Sequence, residues 1–152
     1  MTWLKQVAKL IAKENKGIEW LTPTGFPVVQ DYKKTVAQTV TTKIGGTGTH
    51  IKWHAESDKI SSKKAQQGIS PNFVHSLDAA ALTKSVIQAH KEGIYDFAMI
   101  HDSYGTHANK CDIFSKVLRE EYFSIFSIDL LQDFLRQVSI QHPNIDFPEI
   151  HA

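Results

Sequence analysis

The sequence has little of what marks a secreted or membrane protein. Its 152 residues include one cysteine, Cys111, which cannot form an internal disulfide, so we expect a cytoplasmic protein. No apolar run approaches the roughly 20 residues of a membrane span, and lysines interrupt the apolar residues of the N-terminus, unlike a signal peptide. Repeats, heptads and low-complexity tracts are also missing. These absences favour an ordinary globular protein without a membrane partner.

The charges that are present divide unevenly along the chain. The net charge is +1, but residues 1–76 hold 11 lysines against 5 acidic residues, whereas residues 77–152 hold 6 basic and 11 acidic residues. A basic half predicts a polyanionic partner, and an acidic half is compatible with a cation site. The alternative is that both halves simply carry solvated surface charge.

The first half of the sequence predicts one helix followed by several strands. Apolar residues recur at helical spacing before Gly17, which predicts an amphipathic helix, either packed on a core or lying on a membrane surface. Residues 19–30 predict a strand, a Pro/Gly turn and a second strand. A β-rich stretch then runs from Tyr32 to Ile44, breaks at Gly45–Gly48 and resumes over 49–55, which predicts a hairpin with a loop of about four residues.

Alternation assigns the side chains of this hairpin to faces. It places Thr39, Thr41 and Lys43 on one face of the first strand. His50, Lys52 and His54 lie together on a face of the second. With these polar and basic side chains and little apolar surface, we expect the hairpin to protrude.

The second half is mainly helical by pattern. Residues 56–68 predict a loop or short helix, and Pro71 a first-turn position of a long helix that ends at Gly93. Residues 97–101 predict a short buried strand, followed by a turn at Asp102 and a return strand. Helices are expected over 109–126 and 128–140. The predicted fold class is α+β, mainly helical with two short β-hairpins.

Three short motifs bear on chemistry. Gly45–Gly48 lacks the spacing of a phosphate-binding loop and predicts a turn. His50 and His54 have metal-ligand spacing, but no third ligand lies nearby. His101, Asp102 and Ser103 are contiguous, so they cannot form a hydrolase triad. They predict either an ordinary turn or a carboxylate displayed for Mg²⁺, which prefers oxygen ligands.

Four segments together resemble the bacteriophage-type single-subunit DNA-directed RNA polymerases. They occur in the same order as in that family, and they are Trp3–Leu10, Trp20–Lys34, Ile69–Asp78 and Ile100–Thr106. The related DNA polymerases typically place Glu after the catalytic Asp, so Ser103 favours the RNA polymerase branch. The resemblance implies a right-hand polymerase, with residues 1–75 as the end of the fingers and residues 76–152 as the end of the palm.

The resemblance also implies roles for individual residues. Asp102 matches the second of two aspartates that bind catalytic Mg²⁺ for nucleotidyl transfer. His75 matches a histidine near the incoming ribonucleotide and the nascent RNA, and His101, next to Asp102, is expected near the same nucleotide and RNA. Residues 32–60 occupy the place of the hairpin that reads promoter DNA in the major groove. Its expected DNA-binding residues are Lys33, Lys34, Thr39, Thr41, Lys43, His50 and Lys52.

The family's first metal-binding aspartate and its nucleotide-gripping finger helix have no counterpart in the sequence. We therefore expect the chain to be inactive alone and to need an N-terminal polymerase portion. Its other expected partners are promoter DNA, nascent RNA and ribonucleoside triphosphates, in host-cell cytoplasm if the source is a phage. The alternatives are a stand-alone, non-catalytic DNA-binding domain and a non-functional remnant, and the promoter sequence cannot be carried over.

Overall fold

The computed structural model describes residues 2–100 and 102–150, and it confirms the α+β class, with about half of the chain helical. The described helices are α1 (Thr2–Lys13), α2 (Ser62–Lys91), α3 (Cys111–Phe126) and α4 (Leu130–Gln141), with a short 3₁₀ turn at Ala108–Lys110. The strands are β1 (Ile18–Leu21), β2 (Pro27–Gln30), β3 (Lys33–Ile44), β4 (Thr47–Ile60), β5 (Ala98–Ile100) and β6 (Ser103–Gly105). Within the described residues they form three antiparallel pairs, β1–β2, β3–β4 and β5–β6, at the three places where the sequence predicts a strand, a turn and a second strand.

The main core joins both ends of the chain. Helix α1 buries the stripe that its helical spacing predicted, against α2, α4 and β1. At the centre, the ring centroids of Phe73 and Phe134 lie 5.2 Å apart and those of Trp20 and Phe134 5.8 Å apart. These edge-on aromatic contacts stabilise the core beyond the area they bury. The buried members of the cluster are Leu4, Val7, Ala8, Ile11, Ile18, Trp20, Ile69, Phe73, Leu77, Phe134 and Val138.

Helix α4 closes the free edge of strand β1 with side-chain amides. Gln137 accepts a hydrogen bond from the Leu21 backbone N–H at 2.7 Å and donates one to the Leu21 carbonyl at 3.2 Å. One turn later, Gln141 donates to the Glu19 carbonyl at 3.1 Å. An unpaired strand edge is a template for further pairing, so the two glutamines satisfy a part of the sheet that no strand covers.

The end of α4 is capped by a buried histidine. His142 is 5% exposed, and neither of its ring nitrogens has a hydrogen-bond partner among the described residues. Its Nδ1 lies 4.0 Å from Oε2 of Glu14. Burial lowers the pKa of His142, and the positive charge of Lys16 lowers it further, while Glu14 and Glu19 act in the opposite direction. The folded state therefore holds this imidazole neutral.

Helix α2 begins well before the position that Pro71 predicted. It starts at Ser62, because the Ser61 side chain caps it by accepting a hydrogen bond from the Lys64 N–H at 3.4 Å. Residues 62–68, predicted as a loop or a short helix, thus belong to the long helix, and Pro71 lies inside it. A helical proline removes one hydrogen bond. Here the carbonyl that loses its partner belongs to exposed Gln67, so water can replace the bond.

The predicted end of α2 at Gly93 is confirmed. Gly93 has φ of +77°, its N–H donates to His90, and the next N–H, that of Ile94, donates to Ala89. These are the two bonds of a Schellman motif, in which glycine takes the left-handed position without a Cβ penalty. Ile94 and Ala89 also pack together in a second core beneath α3.

The long hairpin β3–β4 departs from prediction in its turn and in one face. Gly45 and Gly46, both with positive φ, form a two-residue turn, so β4 resumes at Thr47 and continues to Ile60. The residues of 34–59 whose side chains are described are exposed or half-exposed, as protrusion requires. One face, however, is apolar, which the sequence analysis did not expect. Trp53 is 61% exposed there, beside Val36, Val40 and Ile51.

Candidate functional site

Asp102 lies in the tight turn between β5 and β6. Ile100 pairs with Ser103 across that turn, which confirms the predicted strand, turn and return strand. The preceding strand is not buried as predicted, because Ile100 is 69% exposed and Ala98 is also exposed. With three residues in each strand, the hairpin is too short to cover both of its faces. The Asp102 side chain is exposed at its tip. His101 lies outside the described residues.

A cleft of about 670 Å³ separates this turn from helix α2. Its lining brings together Asp102 and two residues of α2, His75 and Asp78, along with Ala79 and Leu82. His75 lies in the middle of α2 rather than at its head, because the helix starts at Ser62. The sequence analysis gave Asp78 no role. Its three-residue spacing from His75, which places both on one helix face, was the signal that could have identified it.

The electrostatics of the neighbouring Tyr104 indicate that both carboxylates lie nearby. Burial is the largest cause that raises the pKa of Tyr104, followed by its hydrogen bond to Tyr122 and the proximity of the Tyr122 hydroxyl. The negative charges of Asp78 and Asp102 raise it further. Asp78 and Asp102 therefore both lie close enough to Tyr104 to act on the pKa of its hydroxyl.

The donor chemistry of this cleft fits Mg²⁺, which prefers carboxylate oxygens. Asp102, in the β5–β6 turn, and Asp78, on α2, both supply such oxygens to the lining of the cleft. Within residues 2–100 and 102–150, however, no group of three or more His, Cys, Asp or Glu side chains could hold a metal ion. The described residues by themselves therefore do not form a complete metal site. The strand residues His50 and His54 likewise do not belong to any such group.

The position of His75 is supported by a buried hydrogen bond beside it. Ser76 accepts from the indole N–H of Trp20 at 3.1 Å and donates to the Phe73 carbonyl at 2.7 Å. This connects α2 at His75 to strand β1. His75 also lines a second, more apolar groove of about 790 Å³ between α2 and the β1–β2 turn, where Phe26 is 68% exposed. The histidine therefore faces the boundary between two cavities.

The register of the long hairpin brings the predicted DNA-binding side chains onto one face. Thr39 pairs with Lys52 and Thr41 with His50, and residues directly opposite each other share a face. Thr41 Oγ1 and His50 Nδ1 lie 3.1 Å apart. Lys43, opposite Gly48, continues the same face toward the turn. Five of the seven predicted residues thus form one polar, basic surface.

Lys33 and Lys34 lie at the base of the hairpin, where it is attached to the body of the protein. By strand length they are roughly 35 Å from the turn. At this base the Tyr32 carbonyl accepts from the Ser61 N–H at 2.7 Å, and the Tyr32 hydroxyl accepts from Asn72 of α2 at 3.0 Å. Thr39, the nearest residue of the basic surface, lies five residues beyond Lys34, or roughly 17 Å along the strand, so the two lysines lie outside that surface.

Fold and site together define an α+β segment in which a carboxylate turn and helix α2 line one cleft and a long hairpin carries one polar, basic face. The family model for DNA-dependent RNA polymerase matches residues 1–150. The chain belongs to this family, which confirms the resemblance to the phage-type single-subunit enzymes.

Curated relatives agree with this assignment. The chain is 35% identical over 150 residues to DNA-directed RNA polymerase 1, mitochondrial, and to DNA-directed RNA polymerase 3, chloroplastic, both from Nicotiana sylvestris. It is 33% identical to DNA-directed RNA polymerase 2A from Nicotiana tabacum. Each match covers 99% of the chain but only 14%, 15% and 44% of these relatives, respectively. None of the helices in the described residues is both long and apolar enough to cross a membrane.

Proposed function

We propose that this chain forms the end of the fingers (residues 1–75) and the end of the palm (residues 76–152) of a DNA-directed RNA polymerase. The observation that carries the proposal is the cleft that places the Asp102 turn opposite His75 and Asp78, within a chain that the family model matches over residues 1–150. The boundary between the two parts falls inside α2, and the main core contains residues from both sides. The two parts therefore pack as one body.

In this proposal Asp102 is a catalytic residue that binds Mg²⁺, and Asp78 faces the same cleft. Magnesium ions held there would lower the pKa of the RNA 3′-hydroxyl and neutralise charge on the transferred phosphate. Asp102 supplies an oxygen ligand from a turn, and His75 lies across the cleft near the incoming ribonucleotide and nascent RNA. The remaining ligands, including a first aspartate, would come from an N-terminal polymerase portion. The chain alone is therefore inactive.

A chimaera tests this function. Residues 1–150 would replace the aligned segment of DNA-directed RNA polymerase 1, mitochondrial, from Nicotiana sylvestris, and template-dependent ribonucleotide incorporation would be measured. We expect activity in the chimaera, none from the 152-residue chain alone, and a loss of at least about 100-fold with Asp102→Ala. Lys5→Ala, an exposed change on α1, is the control and retains activity. An active Asp102→Ala chimaera would refute the catalytic role.

Metal binding by the turn can be measured on the chain itself. Mn²⁺, a paramagnetic substitute for Mg²⁺, should broaden the amide signals of residues 98–105 and of Asp78 in NMR spectra. Asp102→Asn removes a charged ligand and should abolish the broadening there. Broadening that persists in Asp102→Asn, or that appears only elsewhere, contradicts the assignment.

The hairpin of residues 32–60 is proposed to read promoter DNA with its basic face. A two-stranded ribbon fits the major groove, and the face contains Thr39, Thr41, Lys43, His50 and Lys52. Lys33 and Lys34, at the base, would contact phosphates. Each lysine that neutralises a phosphate contributes about 0.9 to the slope of log affinity against log salt concentration. Lys33→Ala and Lys34→Ala should each lower that slope by about this amount, whereas Lys5→Ala should not.

The same measurements separate the alternatives. A stand-alone DNA-binding domain would bind DNA with this salt dependence but would not support activity in the chimaera, and Asp102→Ala would change nothing. A non-functional remnant would show neither property. The relatives named above include mitochondrial and chloroplastic enzymes, so they do not support the predicted cytoplasmic location. That location stays a prediction, which the localisation of a fluorescent fusion would test.

A further inference from the structure

The β5–β6 hairpin that carries Asp102 needs support from outside itself. Each strand has three residues, and only one turn joins them. An isolated two-stranded hairpin is marginally stable in water. The position of the Asp102 carboxylate relative to α2 must therefore be set by contacts between the hairpin and the helices.

Apolar packing supplies the first of these contacts. Phe97, Met99 and Tyr104 pack against a buried cluster that includes Phe114 and Val117 of α3. The rings of Tyr104 and Phe114 meet edge-on, with centroids 6.3 Å apart. Hydrophobic contact is non-directional, so this packing holds the hairpin against α3 without fixing how far its tip lies from α2.

A hydrogen bond between two tyrosine hydroxyls supplies the directional contact that apolar packing lacks. The hydroxyl oxygens of Tyr104 on β6 and Tyr122 on α3 lie 3.1 Å apart. Tyr122 in turn packs against Ala80 and Ala81 of α2, beside Ile125. The contacts therefore run from the Asp102 turn through Tyr104 and Tyr122 to the part of α2 that follows Asp78.

We propose that the Tyr104–Tyr122 hydrogen bond sets the width of the cleft between Asp102 and helix α2, so that both tyrosines are positioning residues for the polymerase reaction. This inference rests on the proposed function of Asp102. Both hydroxyls belong to the same bond, so removing either should have the same effect, and removing both should add nothing. Such non-additivity is the signature of a shared interaction.

Hydrogen exchange on the 152-residue chain tests the structural half of the proposal. Tyr104→Phe and Tyr122→Phe keep the rings and remove one hydroxyl each. Loss of a neutral hydrogen bond should speed amide exchange in residues 98–105 by roughly fivefold in either variant, and the double variant should match the single ones. The control is Tyr95→Phe, whose side chain is 68% exposed and should leave exchange unchanged. Unchanged exchange in both single variants, or multiplied effects in the double variant, overturns the proposal.

Activity of the chimaera tests the catalytic half. Misplacement of a catalytic group by a fraction of an ångström should lower kcat by roughly tenfold, with the KM for ribonucleotides within about twofold. The Mg²⁺ concentration for half-maximal activity should rise in both tyrosine variants and not in Tyr95→Phe. If Asp102→Ala retains activity, the proposed function fails. If Asp102→Ala abolishes activity while both tyrosine variants remain fully active, only the positioning inference fails.

Discussion

Gly68→Ala should destabilise this protein, although the same change stabilises most helices. Gly68 lies inside α2, where alanine ordinarily gains about 1 kcal/mol over glycine. Here a Cβ at this position would lie 2.6 Å from Cε2 of Tyr32 and 3.1 Å from its hydroxyl oxygen. The ring of Tyr32 packs against the helix at Gly68, where the absence of a Cβ leaves room for it.

The expected change in unfolding free energy follows from the contacts that the Tyr32 ring would lose. Carbon atoms pack at about 3.5–4.0 Å, so the ring would move by roughly 1 Å. That shift breaks the 3.0 Å hydrogen bond from Asn72 to the Tyr32 hydroxyl, at a cost of about 1 kcal/mol. Lost packing of the ring, which is 37% exposed, costs about another 1 kcal/mol. Set against the helix gain, the net loss is about 1 kcal/mol.

Urea unfolding of four chains measures this: the natural chain, Gly68→Ala, Tyr32→Ala and the double variant. With Tyr32 truncated nothing opposes the new Cβ, so Gly68→Ala should stabilise that background by about 1 kcal/mol. The sign reversal corresponds to a coupling of about 2 kcal/mol. If Gly68→Ala stabilises the natural chain as much as it stabilises Tyr32→Ala, the proposed clash between ring and helix is refuted.

Three further changes probe other parts of the fold. Ser76→Ala leaves the buried indole N–H of Trp20 without an acceptor and should lower the unfolding free energy by about 1–3 kcal/mol; a loss below about 0.5 kcal/mol by urea titration would contradict the assigned hydrogen bond. The pKa of His142 is lower in the folded than in the unfolded chain, so the free energy of unfolding should fall as pH drops through about 6.5. The urea midpoint of His142→Phe should therefore depend less on pH than that of the natural chain. An equal pH dependence of the two midpoints would show that His142 does not contribute. Gln137→Ala removes both bonds to Leu21 and should cost about 1 kcal/mol and speed exchange of the Leu21 amide, whereas unchanged exchange would show that water replaces the glutamine at no cost.

Local patterns were sufficient for most of the helices and turns. The apolar spacing of α1, the glycine after α2 and the pattern of α4 each predicted an element that the structure contains. The start of α2 was missed because Pro71 was interpreted as a first-turn residue. Ser61, three residues before Lys64, was the cap that decides where the helix begins.

In the β3–β4 hairpin, the alternation of side chains along a strand predicted part of the basic face but not all of it. It placed Thr39, Thr41 and Lys43 correctly on one face, but the pairing of that face with His50 and Lys52 depends on the turn. A two-residue turn at Gly45 and Gly46, rather than a four-residue loop, sets the register that makes the face continuous. The apolar face around Trp53 follows from the same alternation and was overlooked.

The sequence by itself determined the family, the α+β class, the long helix with its glycine stop, and Asp102 at a tight turn, because these depend on residues near one another in the chain. Only the tertiary structure placed Asp78 opposite Asp102, joined Tyr104 to Tyr122, and left room for Tyr32 at Gly68. Each of these pairs is separated by 18 or more residues. Such pairs meet through the packing of α2, α3 and the hairpins around shared cores, which no short-range pattern encodes.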